Sequence, residues 1–355
     1  MKLPRPLFAF IALLVVFTPL KAFALFDECQ DLFPQQQIPI TAQAGRDLCF
    51  DGFAIYYSPI DKKPIYAVEK LSRSQLLTPH PRRSNQFYEE ARLPVSERAL
   101  LSDYRGSGYD RGHNAPAGDM SNERSMAQSF SLANMMPQAR QNNQGIWAKN
   151  VEEPTRLYAK RAASDIYVFT GSTGNQGSIG SSHVTVPSHL YKLVYDPHKN
   201  VAWAYWVENS NEAQMSPPIS YAQLVAKTGI DFQLPIEIGS SPTQRAIVQT
   251  QTSRVKNAQP SQVRQENKGI MGGWYPIFFN EYSPEKVNAL LANIQAGKVV
   301  SIQIQYDRNS ELAKKIASQI EAKTTLFVSP TQSSPPDTPD VHYERNRVTV
   351  IVHSK

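Results

Sequence analysis

Apolar and polar residues alternate along much of the chain, with the two-residue period that is typical of β-strands. Between Asp51 and Leu71, two apolar runs flank the turn-forming cluster Ser58–Asp61, and this pattern predicts a β-hairpin. Further apolar runs predict strands at 104–113, 166–170, 184–187, 191–195 and 201–207. Three-to-four spacing of apolar residues predicts helices at 126–132, 141–152 and 220–228. Strands and helices mixed in this order indicate an α+β fold with a central antiparallel sheet.

The pattern changes character after residue 238. Residues 239–272 are rich in Gln, Ser, Asn and Arg and poor in large apolar residues, which predicts a polar linker. A compact pattern resumes in residues 273–355, with helices expected at 283–294 and 311–322 and strands at 299–306 and 347–352. We therefore expect a main domain at 25–238 and a small α+β module at 273–355, called the C-terminal module below.

The first 24 residues have the pattern of a secretion signal. Lys2 and Arg5 precede the apolar stretch Leu7–Leu20, and Ala22–Ala24 forms a small-residue cleavage site. An uncleaved membrane anchor is the alternative, although the stretch is short for a bilayer span. Cleavage removes three basic residues and no acidic one, so the formal charge falls from +6 to +3. We expect a secreted or periplasmic bacterial protein with no stable membrane insertion after cleavage.

The chain has two cysteines, Cys29 and Cys49, both near the start of the expected mature protein. In an oxidising compartment they are expected to form a disulfide. Closing a loop of this length constrains the unfolded chain by roughly 3 kcal/mol on the entropic description. Two reduced, buried thiols are the alternative.

Three residue types suited to phosphodiester chemistry stand close together in the sequence. Arg111 and His113 lie in the run Asp-Arg-Gly-His, and Asn143 follows thirty residues after His113. Histidine can accept a proton from water near neutral pH, and arginine offers a fork of donors to phosphate oxygens. An asparagine oxygen can bind Mg²⁺ while leaving most of the coordination shell to water and substrate. A helix N-cap is the alternative role for Asn143, and the two roles do not exclude each other.

The wider context of this run resembles the DNA/RNA non-specific endonucleases of the ββα-metal (His-Me finger) superfamily. The segments that carry the resemblance are Asp103–His113, Asn134–Gln138, Asn143–Trp147, Val168–Gly171, Val186–Pro187 and Tyr191–Lys192, in family order. The resemblance extends from Phe50 to Pro235. It implies a ββα-metal fold and a magnesium-dependent endonuclease that cleaves both DNA and RNA, with manganese able to replace magnesium.

The resemblance also implies roles for individual residues. His113 corresponds to the general base that activates the attacking water. Asn143 corresponds to the main protein ligand of the magnesium, and Arg111 lies near the phosphate and a metal-bound water. Cleavage is then expected to leave a 5′-phosphate, with a metal-bound water protonating the leaving 3′ oxygen. The groups identified address phosphate and metal rather than base edges, in keeping with low sequence preference.

The carboxylate that supports the metal site is displaced by one residue. The family places a glutamate eight residues after the metal-binding asparagine and an arginine one turn later. Here the eighth position is Val151, whereas Glu152 and Arg156 come one residue late with Pro154 between them. Either one helix ends near Glu152 and another begins at Pro154, or a bulge restores the register. We predict that Glu152 holds a metal-bound water; Glu153, or a plain surface ion pair, is the alternative.

Two further positions complete the expected site. An arginine upstream of the motif should contact phosphate, and either Arg82 or Arg83 can fill this role; solvated loop charge is the alternative. Asp119, close behind His113, is expected to hold the following loop rather than a metal.

The resemblance leaves two questions of function. A non-catalytic nucleic-acid-binding envelope protein that retains the nuclease fold is the alternative to an enzyme. The C-terminal module begins with a cluster of aromatic residues, Trp274, Tyr275, Phe278, Phe279 and Tyr282. They can form the core of this module, or a docking surface for an envelope or secretion partner. As a third possibility, the module covers the nuclease cleft and limits activity.

Overall fold

The computed structural model describes residues 25–236 and, in the C-terminal module, residues 273–306, 308–324, 326, 328, 330–332 and 347–354. The expected signal peptide at 1–24 and the expected linker at 239–272 lie outside the described residues. Both therefore stay predictions from sequence.

Residues 25–236 contain eleven strands and six longer helices. In chain order, the strands are β1 (Arg46–Cys49), β2 (Phe53–Ser58), β3 (Lys63–Leu71), β4 (Tyr109–His113), β5 (Met135–Ala139), β6 (Ile166–Thr173), β7 (Ser178–Ile179), β8 (Val184–Thr185), β9 (His189–Asp196), β10 (Val201–Glu208) and β11 (Ile219–Ser220). The helices are α1 (Arg73–Leu77), α2 (Leu101–Tyr104), α3 (Glu123–Ser129), a π-helix (Asn142–Glu152), α4 (Glu153–Ala159) and α5 (Tyr221–Thr228). Single 3-10 turns occur at Gln30–Leu32, Pro34–Gln36, Val95–Glu97, Ala117–Asp119 and Leu132–Asn134.

Seven of the strands in residues 25–236 form one antiparallel sheet, in the order β1-β2-β3-β6-β9-β10-β11. The predicted hairpin is present as β2 and β3, and the predicted α+β class is confirmed. The central strands are apolar on both faces because both faces are covered. One face packs an aromatic core around Tyr66, Phe169 and Phe232, and the other packs Val168 and Val194 under α4.

A separate hairpin and the helices that follow it pack against this sheet. Strands β4 and β5 pair antiparallel, with His113 opposite Met135. The π-helix follows, and its buried Trp147 and Val151 join Met136 in one apolar cluster with residues of β9 and β10. This hairpin–helix unit is the ββα arrangement expected from the resemblance.

Some predicted boundaries are wrong. The strand expected at 104–113 begins only at Tyr109, because Tyr104 ends α2 and the turn that follows uses Gly106 and Gly108 at positive φ (63° and 84°). The helix expected at 126–132 is α3, which begins earlier because the Asn122 side chain accepts a hydrogen bond from Ser125 N at 2.8 Å.

The predicted disulfide between Cys29 and Cys49 is present, with the two Cα atoms 5.8 Å apart. It ties the N-terminal segment to the end of β1. The alternative of two reduced thiols is therefore wrong for this structure.

The described part of the C-terminal module contains a four-stranded sheet and two helices. Its elements are β12 (Gly273–Phe279), α6 (Pro284–Gln295), β13 (Val299–Tyr306), α7 (Ser310–Lys323), β14 (Thr331–Gln332) and β15 (Val348–Ser354). The strands lie in the order β12-β15-β13-β14. Phe279, Leu290, Ile304, Ile316 and Val350 belong to one core between sheet and helices. Among the described residues, no helix combines the length and apolar character needed to cross a membrane.

Candidate active site

A cleft of about 1380 Å³ opens where β4, the segment around Phe87, the π-helix and α4 meet. Its basic lining residues are Arg83, Arg105, Arg111, Arg140, Lys149, Arg156 and Lys160. Its acidic lining residues are Asp110, Glu152 and Glu153. The excess of cations creates the local positive patch that the small net charge of the chain does not provide.

His113 lies at the end of β4 and is only 9% exposed. Its ring packs against Phe87 and edge-on against Phe130, with centroid separations of 5.8 and 5.1 Å. Nε2 is buried and has no hydrogen-bond partner among the described residues. Burial, followed by the charges of Arg83 and Arg111, lowers the pKa of His113 from 6.5 to about 3. The imidazole is therefore neutral at physiological pH and can accept a proton.

The same causes make this pKa sensitive to substrate. A phosphate anion between Arg83 and Arg111 would offset the two charges that disfavour the imidazolium ion. The pKa of His113 would then rise towards the working pH, where a general base is most effective.

Arg111 lies two residues before His113, and residues at this spacing in a strand project from the same face. Both side chains line the cleft. The guanidinium carbon of Arg111 lies 4.1 Å from the centroid of the Phe87 ring. Phe87 therefore contacts both motif residues, a role that no pattern in the sequence indicates.

Asn143 reaches the cleft from the first turn of the π-helix. Its Nδ2 donates to Asp110 Oδ2 at 3.0 Å, whereas the N-cap position belongs to Gln141. The N-cap alternative for Asn143 is therefore wrong. The neighbouring Asn142 is buried, accepts from Gln138 Nε2 at 2.9 Å and donates to the Glu208 carbonyl oxygen at 2.6 Å. Asn142 thus holds the start of the π-helix in place, whereas Asn143 lines the cleft.

Asp110 is a site residue that the sequence reasoning missed. Besides Asn143, its carboxylate accepts from Gln144 Nε2 at 2.8 Å and from Arg140 Nε at 3.1 Å. Burial alone would raise the pKa of Asp110, but these hydrogen bonds outweigh it and hold the pKa below its ordinary value. The carboxylate fixes the amide nitrogen of Asn143, so the amide oxygen is the atom left to bind a ligand.

The donor set suits magnesium. Mg²⁺ prefers oxygen ligands and keeps several waters, so the amide oxygen of Asn143 is a ligand of the right type for this ion. No group of three or more His, Cys, Asp or Glu side chains in the described residues is arranged to hold a metal ion. Asn143 is the residue that fits the ion in this cleft.

The π-helix resolves the one-residue displacement of Glu152. In an α-helix of about 3.6 residues per turn, a residue nine positions after Asn143 would lie about half a turn away, on the opposite face. Bonding from residue i to i+5 widens each turn, so nine residues complete roughly two turns instead. Glu152 accordingly lines the same cleft as Asn143, while Val151 is fully buried in the core. Pro154 causes no break because it lies in the first turn of α4.

Glu152 belongs to a cluster of charges beneath the cleft. Burial raises the pKa of Glu152, with Asp119 adding to the rise and Lys192, Arg156 and Arg83 opposing it. Arg156 donates from Nε to Asp119 Oδ1, so Asp119 has the structural role expected of it. Glu153 also lines the cleft but is exposed, which makes Glu152 the better candidate to hold a metal-bound water.

Two members of the cluster come from the main sheet. Glu69 on β3 is 1% exposed, and burial and the nearby Asp119 raise its pKa well above the ordinary value. Lys192 on β9 donates to Thr170 Oγ1 at 2.6 Å. One signal was present in the sequence: Glu69 and Lys192 are charged residues within central strands whose middle residues are mostly apolar.

Of the two candidate phosphate-binding arginines, only Arg83 lines the cleft. Its guanidinium carbon lies 5.1 Å from the Phe130 ring centroid, and its Nε donates to Asn85 Oδ1 at 2.7 Å. Both arginines are exposed, and Arg82 is not part of the cleft lining. Of the two arginines, Arg83 is therefore the one that the structure brings to the cleft.

The described residues of the C-terminal module contribute nothing to the cleft lining, which comes from residues 83–160. The possibility that this module covers the cleft therefore has no support among the contacts. The module instead packs beside the cleft, against the segment that follows Phe87.

Together, the fold and the site describe an α+β protein with a ββα unit. This unit presents a buried neutral histidine, an arginine and an asparagine to a basic cleft. Residues 35–236, more than half of the chain, match the sequence profile of the DNA/RNA non-specific endonucleases. The chain belongs to the DNA/RNA non-specific endonuclease family.

Several named nucleases are similar to this chain. Mitochondrial nuclease EXOG of Xenopus laevis is 33% identical over 180 residues, which cover 47% of this chain and 49% of the relative. Human mitochondrial endonuclease G is 32% identical over 157 residues, covering 41% and 52%. Nuclease C1 of Cunninghamella echinulata var. echinulata is 35% identical over 170 residues, covering 44% and 67%. The chain spans about half the length of most of these relatives.

Among solved structures, a chain in the crystal structure of the EndoG/EndoGI complex is similar with a TM-score of 0.49 and 25% identity. The similarity covers 53% of this chain and 86% of that chain.

Proposed function

We propose that this protein is a magnesium-dependent endonuclease that hydrolyses phosphodiester bonds of DNA and RNA with little sequence preference. One observation carries the proposal: His113 is neutral, and its Nε2 has no partner among the described residues, in a cleft that also presents Arg111 and Asn143. Family membership and the nuclease names of the relatives support the same activity.

In this mechanism His113 Nε2 takes a proton from the attacking water. The new P–O bond forms in line with the bond between phosphorus and the 3′ oxygen. That bond breaks, and the 3′ oxygen takes up a proton from solvent. The product is then a 5′-phosphate. Arg111 and Arg83 bind the phosphate oxygens and balance the charge that develops on them.

Asn143 would hold the magnesium through its amide oxygen, with Glu152 placed to hold a metal-bound water. The ion, when bound, supplies positive charge at the crowded phosphorus. Asp110 fixes the Asn143 amide, and Arg156 and Asp119 hold the surroundings of Glu152. We expect manganese to replace magnesium, because both ions accept oxygen ligands.

We also propose that the protein acts outside the cytoplasm, in the periplasm or as a secreted enzyme. The Cys29–Cys49 disulfide supports this, since such bonds persist in oxidising compartments. The leader-like pattern of residues 1–24 points the same way. Neither the names of the relatives nor the described surface of the C-terminal module supports an envelope or secretion partner.

The test is cleavage of supercoiled plasmid and of single-stranded RNA by the purified full chain, with magnesium and with EDTA. Wild type should degrade both substrates only when magnesium is present. His113→Ala should abolish cleavage without loss of fold, whereas the exposed His198, changed to alanine, is a matched control and should keep full activity. Binding without cleavage by wild type would instead establish the non-catalytic alternative.

A further inference from the structure

The C-terminal module contacts the main domain at the segment that follows the active-site residue Phe87. Tyr88 and Ala91 of this segment pack with Phe278 and Ile351 of the C-terminal module in one apolar cluster. The rings of Tyr88 and Phe278 lie 6.3 Å apart at an angle of 63°. The two parts of the chain therefore meet through buried side chains and not only through solvated surface.

A buried arginine reaches across this contact. Arg347, at the start of β15, is 8% exposed, and its Nη2 donates to the carbonyl oxygen of Phe87 at 2.7 Å. Its guanidinium carbon also lies 4.8 Å from the Phe278 ring centroid. A charged donor in a buried position makes a stronger hydrogen bond than a neutral one. The contact joins residues 260 positions apart in the sequence.

The residue held in this way is central to the active site. The Phe87 ring lies 4.1 Å from the guanidinium carbon of Arg111, and its centroid is 5.8 Å from that of His113. It also packs edge-on against Phe130, 5.0 Å away. A shift of the Phe87 backbone would therefore move the surface on which both motif side chains rest.

The local structure explains why an external anchor matters here. Residues 78–87 form no helix or strand, so the backbone before Phe87 has no ladder to hold it. Tyr88 forms only an isolated bridge opposite Ser131, in which its N donates to the Phe130 carbonyl at 3.2 Å and its carbonyl accepts from Leu132 N at 2.8 Å. Arg347 binds the chain at Phe87, directly before this single bridge.

We propose that Arg347 is a positioning residue for the active site: through the Phe87 carbonyl, the C-terminal module sets the placement of Phe87 and thereby of Arg111 and His113. The proposal rests on the proposed function for its kinetic readout. It assigns the C-terminal module a part in catalysis although the module lies outside the cleft.

The first test compares Arg347→Ala, Arg347→Lys and the control Lys314→Ala in the full chain. Lys314 belongs to the same module, and its side chain is 67% exposed. Arg347→Ala should lower kcat about tenfold, which corresponds to a rise of about 1.4 kcal/mol in the activation free energy. KM should change less than kcat, since no cation that lines the cleft is removed. Arg347→Lys should restore part of kcat, and Lys314→Ala should match wild type.

A double-mutant cycle separates positioning from general stability. If Arg347 acts through the Phe87 ring, Arg347→Ala combined with Phe87→Ala should be no slower than Phe87→Ala alone. Multiplying effects in the double variant, or an unchanged kcat in folded Arg347→Ala, would overturn the proposal. If Arg347→Ala does not fold, Arg347→Lys carries the same cycle.

A readout that needs no nuclease activity distinguishes this proposal from the proposed function. The pKa of the His113 ring, measured by NMR titration, should rise in Arg347→Ala, because a displaced Phe87 leaves the imidazole better hydrated. It should stay unchanged in Lys314→Ala. An inactive wild type that still shows this shift would refute the function and retain the positioning role. An equal His113 pKa in all variants would refute the positioning role.

Discussion

Asp110 should control how tightly the site holds magnesium, because its carboxylate fixes the amide that would bind the ion. The perturbation is Asp110→Ala, which removes the acceptor of the 3.0 Å hydrogen bond from Asn143. Without this partner the amide can turn over, since its oxygen and nitrogen are nearly equal in size. An amide turned in this way presents N–H donors where the ion needs an oxygen ligand.

The magnitude follows from the three donors that meet at Asp110. The Arg140 side chain is 73% exposed, so its ion pair with Asp110 contributes little in water. The bond from Asn143 is half-buried and ends on a charged acceptor, for which a contribution of about 1.5–3 kcal/mol is typical. Residues that orient metal ligands typically change metal affinity by about 10- to 100-fold when removed. We therefore expect the half-maximal magnesium concentration to rise by about 10- to 100-fold.

The assay is the initial rate of plasmid cleavage across a magnesium titration. Asp110→Ala should approach wild-type kcat at saturating magnesium, because His113 and Arg111 are untouched. Arg140→Ala and Gln144→Ala remove the other two partners of Asp110 and should shift the titration by less than about threefold. A folded Asp110→Ala protein with the wild-type magnesium dependence would refute the reasoning, since Asn143 would then not need its partner.

Three further predictions concern charge, register and the disulfide. Below the ordinary histidine pKa of 6.5, His113 binds a proton in the unfolded chain, whereas in the folded protein it stays neutral down to about pH 3. The folded state therefore loses stability as the pH falls. From about pH 7.5 to about pH 5, the free energy of unfolding of wild type should fall by about 2 kcal/mol more than that of His113→Asn. Urea denaturation at both pH values measures this, and equal losses would contradict the burial argument. Glu152→Gln should lower kcat about 10- to 100-fold, whereas Glu153→Gln should stay within about threefold of wild type; the reverse order would mean that the π-helix does not bring Glu152 to the metal. Replacing Cys29 and Cys49 together by serine should lower the free energy of unfolding by about 3 kcal/mol, and a fall below about 1 kcal/mol would argue against the loop-closure description.

Local patterns made several features predictable. The hairpin β2–β3 was readable because alternating apolar residues flank a turn, and α5 because Gly229, at a positive φ of 68°, ends it. His113, Arg111 and Asn143 were readable because their chemistry and order are kept within a short stretch. In each case, the information lies in residues close together in the chain.

Other features depended on contacts that exist only once the chain is folded. Asp110 was not assigned a role because its bond to Asn143 exists only once β4 and the π-helix pack side by side. Glu69 and Lys192 lie on different strands, and only the sheet brings their charges under Glu152. Whether Arg82 or Arg83 faces the cleft likewise depended on the path of an irregular loop, which no periodicity encodes.

The sequence alone determined the α+β class, the family and the candidate site residues Arg111, His113 and Asn143, because alternation, turn residues and a motif are all properties of neighbouring positions. The tertiary structure decided how those residues work together. Turn width in the π-helix decided that Glu152 rather than Val151 faces the cleft, and a contact across 260 residues brought Arg347 to Phe87. Both features depend on how segments pack against each other. The energy of burial favours one packing arrangement among several that the order of residues alone allows.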